Sequence, residues 1–173
     1  MLKVNIRNVL ILLFSGFIGF VLGLGWKIAW EESQFIIAEW SEDPILVICP
    51  DSQLSPYRVH RAVDWWGIRG YKIALVHWDN DGKICNLRRF TQGMIFVRGQ
   101  GEVLPNTYAV TTRITVVNKM MSAEIILPNK HKHMPRLLEH EMGHAFGMRH
   151  IEDIGHMMNP IHESGGEMFY VPD

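Results

Sequence analysis

The spacing of apolar side chains along the chain predicts a sheet that is covered by helices. Ile45–Cys49 is a short apolar run between prolines, which is typical of a buried strand. A helical spacing of three and four residues follows it, and the apolar positions are Val59, Ala62, Val63 and Trp66. We expect this helix to begin with Ser55 as N-cap and Pro56 in the first turn, and to end at Gly67.

Four further stretches predict strands. Tyr71–Trp78 and Met94–Val97 are short and rich in apolar side chains. Tyr108–Val117 alternates well and is followed by Ser122–Leu127, so we expect an antiparallel pair that is joined by a tight turn at Asn118–Lys119. The order of these elements predicts an α/β (α+β) fold.

A last helix carries the residues with the clearest chemistry. Pro135 is suited to its first turn. One face of this helix should pack on the sheet, and that face comprises Leu138, Met142, Ala145 and Phe146. The opposite face is therefore expected to lie rigidly toward a cleft.

Three histidines and one glutamate on or after this helix have the spacing of a catalytic metal site. His140 and His144 are four residues apart, so both imidazoles can reach one ion. Glu141 lies about 100° around the helix, where its carboxylate can act as general base on a water at that ion. Gly147 is suited to end the helix, and the turn brings in His150. Three histidine ligands leave the fourth position open, which is typical of catalytic zinc.

The motif H-E-x-x-H-x-x-G-x-x-H at His140–His150 resembles the signature of the metzincin zinc endopeptidases. Metzincins carry a Met-turn below the zinc, and the spacing is most similar to the matrixin branch, with Met158 as the structural methionine and Met157 as the alternative. The resemblance implies Zn²⁺ as cofactor and hydrolysis of a peptide or protein substrate with Glu141 as base. It also implies a twisted, mostly parallel sheet whose one antiparallel edge strand, here Tyr108–Val117, binds the substrate by strand addition.

The chain departs from this resemblance after the Met-turn. Pro160 stands where some metzincin branches place a tyrosine, and only Ile161–Asp173 follow it. We therefore expect either a very short C-terminal subdomain or one that another chain completes. Three residues are candidates either for an oxyanion donor or for surface and packing roles: His156, His162 and Tyr170.

Residues 1–30 are predicted to be a signal-anchor or transmembrane segment. Val9–Trp26 has no charged side chain and would span roughly 27 Å as a helix, which is marginally enough to cross a bilayer. Lys3 and Arg7 precede the run, so the positive-inside rule places the rest of the chain outside the cytoplasm. One alternative is a signal peptide that is cleaved near the glycines at the end of the run, which would give a secreted protein. The other is a buried core helix.

Composition helps to place the domain boundaries and limits the kinds of binding partner. The 173 residues are 47% hydrophobic and 20% charged, as in ordinary globular proteins, and we place the metallopeptidase domain at residues 44–173. Residues 31–43 are short and acidic, and are predicted to be a linker or juxtamembrane helix. A net charge of -1 disfavours a nucleic-acid partner. Two alternatives to the endopeptidase stay open: a non-catalytic zinc-binding interaction module and a zinc-dependent endoribonuclease.

Three smaller features each leave two interpretations. Cys49 ends the first predicted strand and Cys85 lies several residues beyond the second, and the two form either a disulfide or two buried thiols. His131 and His133 belong either to a second metal site or to a solvated loop. Asp79–Gly82 favours a plain turn over a calcium loop, because the downstream carboxylate of such a loop is missing.

Overall fold

The structure is a computed structural model that describes residues 35–86 and 90–172. Within these residues it is a mixed α/β fold with one six-stranded sheet and two α-helices. The elements are β1 (Glu39–Trp40), β2 (Ile45–Ile48), α1 (Pro56–Gly67), β3 (Leu75–Trp78), β4 (Met94–Arg98), β5 (Val110–Val116), β6 (Lys119–Ile126) and α2 (Leu137–Ala145). Short 3-10 turns lie at Pro50–Ser52 and His162–Ser164.

The sheet is mostly parallel and has one antiparallel edge. The strand order is β1-β6-β4-β2-β3, and each of these neighbouring pairs is parallel. β5 pairs with β6 in the antiparallel sense along the whole of Lys119–Ile126. β1 and β4 pair with successive parts of β6, so they share the side that β5 does not occupy. The predicted mostly parallel sheet is confirmed, and β5 is its antiparallel edge strand.

The central strands are buried on both faces, which explains their continuous apolar runs. Leu46 of β2 belongs to the main core, together with apolar residues of both helices. Val47 faces the other side of the sheet and packs there with Phe96 and the disulfide between Cys49 and Cys85. The Cα atoms of the two cysteines are 5.8 Å apart. Of the two interpretations that the sequence left open, the disulfide is the one present.

Helix α1 has the predicted boundaries. Ser55 is its N-cap, with a hydroxyl that accepts a hydrogen bond from Arg58 N at 3.3 Å, and Pro56 is in the first turn. Its last residue is Gly67. The core-facing positions are fully buried, namely Val59, Ala62 and Trp66.

Two strand boundaries differ from the sequence prediction. β3 begins at Leu75 rather than Tyr71, because Leu75 pairs with Ile45, the first residue of β2. Tyr71 instead donates its N–H to Trp66 O at 3.1 Å and so belongs to the turn after α1. The hairpin turn between β5 and β6 lies at Val117–Asn118 rather than Asn118–Lys119, since these two residues have φ of 48° and 60°, as a two-residue hairpin turn requires.

The last helix also begins later than predicted. Arg136 is its N-cap and has a left-handed φ of 64°, so the helix cannot extend back to Pro135. The prediction that Pro135 lies in the first turn is wrong. Its apolar face does pack into the core as expected, with Leu138, Met142, Ala145 and Phe146 all buried.

Residues 35–43, which were predicted to be part of a linker, pack on the domain. Phe35 and Ala38 are buried in the main core, and Ile37 donates its N–H to Gly147 O at 3.0 Å. The predicted membrane segment at residues 1–30 lies outside the described residues. Among the residues that the structure describes, no helix has the length and apolar character needed to span a bilayer.

Candidate metal centre and active site

Helix α2 is fixed against α1 by a buried ion pair. Both carboxylate oxygens of Glu139 accept hydrogen bonds from the guanidinium of Arg58, each at 2.6 Å, and Glu139 is only 2% exposed. The indole N–H of Trp66 donates to Glu139 O at 2.8 Å. Because Glu139 immediately precedes His140, these contacts set the direction in which the histidine side chains project.

The three histidines of the motif meet at one point. His140 and His144 project from α2, and His150 from the loop after it. The Nε2 atom of His150 lies 3.2 Å from that of His140 and 3.0 Å from that of His144. Two nitrogens that bind one tetrahedral zinc at ~2.1 Å are themselves about 3.4 Å apart. The spacing is therefore close to that of ligands around a single ion.

Main-chain carbonyls determine which ring nitrogens carry protons. His140 Nδ1 lies 2.8 Å from Met157 O, and His144 Nδ1 lies 2.9 Å from Met148 O, so each Nδ1–H donates to its carbonyl. Both Nε2 atoms are then acceptors that face His150. A proton on His150 can satisfy only one of them. A cation satisfies all three nitrogens, and the donor set therefore fits a metal ion.

Burial keeps these imidazoles in the form that binds metals. Desolvation lowers the pKa of His140 to about 4 and that of His144 to about 3, although the hydrogen bond to a carbonyl opposes the shift in each case. Burial also lowers the pKa of His150, and the positive charge of Arg113 adds to this effect. All three rings are therefore neutral at pH 7, as metal ligation requires.

The three histidine nitrogens could hold a metal ion and leave one coordination position open. Three imidazole nitrogens suit zinc, and three protein ligands leave a fourth place for water or substrate. His150 is exposed, so this place faces solvent. Among the described residues, this is the one cluster of three or more side chains that could hold a metal.

Glu141 is buried beside the histidines and contacts the edge strand. Its side chain is 5% exposed, and the hydroxyl of Thr111 on β5 lies 2.6 Å from its Oε2 and 3.1 Å from its main-chain oxygen. Burial raises the pKa of Glu141 to about 7, while the hydrogen bond from Thr111 acts in the opposite direction. A carboxylate with a pKa near neutrality is suited to accept and return a proton.

A cleft crosses the histidines between β5 and the segment after Met158. One half, of about 360 Å³, is bounded by Leu137, Pro160 and Ile161. The other half, of about 590 Å³, is bounded by the middle of β5, His144 and Arg149. Glu141 and His150 line both halves, so the two halves adjoin beside the histidines. Among the described residues, the outer side of β5 has no partner strand, and it is open to an extended peptide.

Met158 lies directly below α2. It is fully buried, and a Cβ atom on Gly143 would overlap its sulfur, so the close approach of helix and turn requires glycine at that position. The preceding residue, Met157, supplies the carbonyl that accepts the His140 proton. Met158 N donates to Nδ1 of the buried His156 at 3.0 Å. The two methionines therefore have different roles. Met158 packs below the helix, and the main chain of Met157 accepts a hydrogen bond.

Gly147 follows the end of α2 and has a φ of 97°. The N–H of Gly147 bonds to His144 O at 2.9 Å, and that of Met148 bonds to Gly143 O at 3.0 Å, which turns the chain sharply back. A Cβ atom on this glycine would overlap the carbonyl oxygen of Ala38. The turn places His150 opposite the two helical ligands.

The three candidates for an oxyanion donor lie in different places. His156 is fully buried, and its Nε2 lies 3.1 Å from Tyr170 O, away from the cleft. The hydroxyl of Tyr170 bonds to Asp153. His162 is the candidate that lines the cleft, beside His140 and Glu141. Its neighbours make it the one of the three that a bound peptide can reach.

The candidates for a calcium loop and for a second metal site have packing or hydrogen-bonding roles within the described residues. Asp79 is buried, and its Oδ2 accepts the Cys85 N–H at 2.6 Å, so it organises the loop that carries the disulfide. His131 packs edge-on against Tyr108, with ring centres 5.1 Å apart. Neither His131 nor His133 belongs to a described metal-binding cluster.

Sequence reasoning missed several residues that shape the site. Thr111 and Arg113 of β5 contact α2, and the alternation of that strand could have placed both on one face. Arg149 adjoins a metal ligand and lines the cleft. The Arg58–Glu139 pair had no local signal, since its partners are 81 residues apart.

Comparisons with known proteins leave the family open. No protein-family model matches the chain, and no curated protein matches it. Among solved structures it is similar to metalloproteinase-II from Bacteroides fragilis, with 12% sequence identity and a TM-score of 0.45. The match covers 76% of this chain and 52% of that protein, so the chain spans about half its length. Fold and site together describe a mixed α/β protein with three histidines that could hold a metal ion.

Proposed function

We propose that the chain is a zinc-dependent endopeptidase of the metzincin class, with a matrixin-like Met-turn at Met158. One observation carries the proposal. Three neutral histidine nitrogens converge beside the buried carboxylate of Glu141, in a cleft that is bounded by an open edge strand. The metal ligands are His140, His144 and His150.

Zinc at this site would lower the pKa of a bound water to ~7 and polarise a peptide carbonyl. Glu141 accepts the proton of the attacking water as the water oxygen bonds to the carbonyl carbon. Its Oε2 is held by Thr111, and the described residues place no donor on Oε1, so that oxygen is available for the proton. Glu141 then gives the proton to the amine that leaves when the C–N bond breaks. Main-chain groups of β5 hold the peptide extended during this exchange.

The open fourth position favours catalysis over the alternative of a non-catalytic zinc module. A closed structural zinc site has four protein ligands. Here three histidines converge, and the exposed His150 borders the cleft. A module that used zinc only for folding would not need a buried, proton-accepting carboxylate next to that opening.

We further propose that the domain is tethered to a membrane and acts outside the cytoplasm. The uncharged run at Val9–Trp26 supports the tether. The disulfide between Cys49 and Cys85 supports an oxidising compartment. Protease added to the outside of intact cells tests the topology. A catalytic domain that is digested only after the protease is admitted to the cytoplasm would contradict the proposal.

Peptide-library cleavage by the full chain tests the activity. We expect cleavage to stop on chelation and to return with added zinc. Glu141→Gln should abolish turnover while it retains one zinc per chain, because the amide keeps the shape but cannot accept the proton. His144→Ala/His150→Ala should lose the metal as well. Full turnover by Glu141→Gln, or full zinc occupancy of the double histidine variant, would refute the proposal.

A further inference from the structure

The two halves of the cleft differ in charge. The half that borders Pro160 is lined by Glu163, Asn106 and Asn159. The half that borders β5 is lined by Arg113 and Arg149, and Glu141 is the one carboxylate among its described lining residues. Both halves meet at Glu141 and His150, so a peptide that crosses the metal site passes from one electrostatic environment into another.

Arg113 is held rigidly at the wall of the basic half. It lies two residues after Thr111 on β5, so both side chains are on the face of the strand that contacts α2. Its Nη1 donates to His144 O at 3.2 Å and to Met148 O at 3.0 Å. These bonds hold the half-buried guanidinium next to the main chain of His144. Its other N–H groups remain as donors at the cleft wall.

Arg149 brings a second positive charge to the same wall. It immediately precedes His150, and its position follows from the turn at Gly147. Both guanidiniums line the same half of the cleft. Guanidiniums bind carboxylates with directed, charge-assisted hydrogen bonds, so a cleft wall lined by two of them is suited to an acidic side chain.

We propose that this basic half of the cleft is a specificity subsite that binds an aspartate or glutamate side chain of the substrate, on one side of the scissile bond. The inference rests on the proposed endopeptidase function and adds the chemical class of its substrate. The opposite half carries Glu163 and would repel a second acidic side chain. The expected substrate is therefore asymmetric in charge about the bond that is cut.

The test begins with a peptide library to locate the acidic position. Three matched peptides then carry glutamate, glutamine or lysine there, and kcat/KM is measured with the zinc-loaded full chain. We expect the glutamate peptide to exceed the glutamine peptide by roughly 5- to 50-fold, as for a charge-assisted hydrogen bond in a partly solvated site. The lysine peptide should be the poorest.

Variants at position 149 then assign the preference to the cleft. Arg149→Glu should reverse the order of the glutamate and lysine peptides, and Arg149→Gln should reduce the preference. Arg149→Lys should retain most of it. Arg61→Glu is the matched control, since it makes the same change of net charge at an exposed position on α1. Zinc content is measured for every variant, so that loss of metal is not mistaken for loss of specificity.

The possible failures are distinguishable. Cleavage without an acidic preference, or a preference that survives Arg149→Glu, overturns the subsite and leaves the endopeptidase intact. If no peptide is cleaved, the proposed function fails, and the subsite is decided by binding to zinc-loaded Glu141→Gln. Tighter binding of the glutamate peptide than of the glutamine peptide, lost in Arg149→Glu, supports it, whereas equal affinities overturn it.

Discussion

The chemistry of the site depends on single protons that other residues hold in place. The carbonyls of Met157 and Met148 keep the protons of His140 and His144 on Nδ1, which leaves both Nε2 atoms free to bind an ion. Carbonyl partners of this kind also fix ring orientation and make the ligands more basic. Thr111 does the equivalent for Glu141, because its hydroxyl engages one carboxylate oxygen and leaves the other toward the cleft.

Thr111→Val should lower kcat by roughly 10- to 100-fold with little change in KM or zinc content, since a base that is displaced by about 1 Å loses that much. Thr111→Ser is the control because it keeps the hydroxyl and should retain most of the activity. Steady-state kinetics on a single peptide decides between them. Full activity in Thr111→Val would contradict a role for this hydrogen bond.

At the scale of elements, a short helix carries the site and needs external support. Helix α2 has nine residues and no side-chain N-cap bond, and isolated helices of this length are unstable in water. Its position comes from burial of Leu138 and Met142, from the close contact of Gly143 with Met158, and from the Arg58–Glu139 pair.

Arg58→Met should destabilise the protein by about 3–5 kcal/mol, because it leaves the carboxylate of Glu139 buried without its partner. Arg58→Met/Glu139→Leu should recover much of this loss, since both charges are then absent. Arg61→Met, at an exposed position on the same helix, should stay within about 0.5 kcal/mol of the parent. Denaturant unfolding gives all three values, and a double variant no better than Arg58→Met would contradict the explanation.

At the scale of the whole molecule, the two faces of the sheet are stabilised differently. The helices cover one face with the main core. The other face has a small cluster of Val47 and Phe96 with the disulfide. A cross-link is useful there because few apolar side chains are available to bury that side.

Cys49→Ser/Cys85→Ser should lower the free energy of unfolding by roughly 3–4 kcal/mol, the chain-entropy value for closing a loop of this size. The sequence separation of the two cysteines is 36 residues. Denaturant unfolding of the variant and of the oxidised parent measures the difference. Thiol counting on denatured, unreduced parent protein is the control, and two free thiols would show that the bridge is absent in solution.

The metal-free protein should become less stable as the pH falls from 6.5 to 4.5. His140 and His144 have a lowered pKa in the fold, so in this range they take up two protons only on unfolding. Glu141 has a raised pKa and releases one proton on unfolding. These three groups give a net uptake of about one proton, which corresponds to ~1.4 kcal/mol per pH unit. The lowered pKa of His150 acts in the same direction.

Urea unfolding of chelated protein at several pH values measures this slope. Glu141→Gln removes the opposing proton and should steepen the slope to about two protons, which makes it a matched variant for the same experiment. Stability that rises on acidification through this range would show that the histidines are not buried in neutral form.

By itself the sequence determined what helix geometry and local turns control. His140, Glu141 and His144 were placed on one helix, and Gly147 at the turn to His150, because these relations depend only on helical periodicity and the freedom of glycine. The buried strand at β2, the boundaries of α1 and the antiparallel edge strand followed from equally local patterns.

Tertiary structure decided every relation that crosses the sheet or joins distant elements. Strand register and helix position determine the bond from Thr111 to Glu141, the Arg58–Glu139 pair and the carbonyl of Met157 behind the His140 ring. They also place Arg113 and Arg149 on one half of the cleft. The disulfide likewise required both cysteines to reach one face of the sheet. Residues that are tens of positions apart carry no shared periodicity, so only the packed fold could show which of them are in contact.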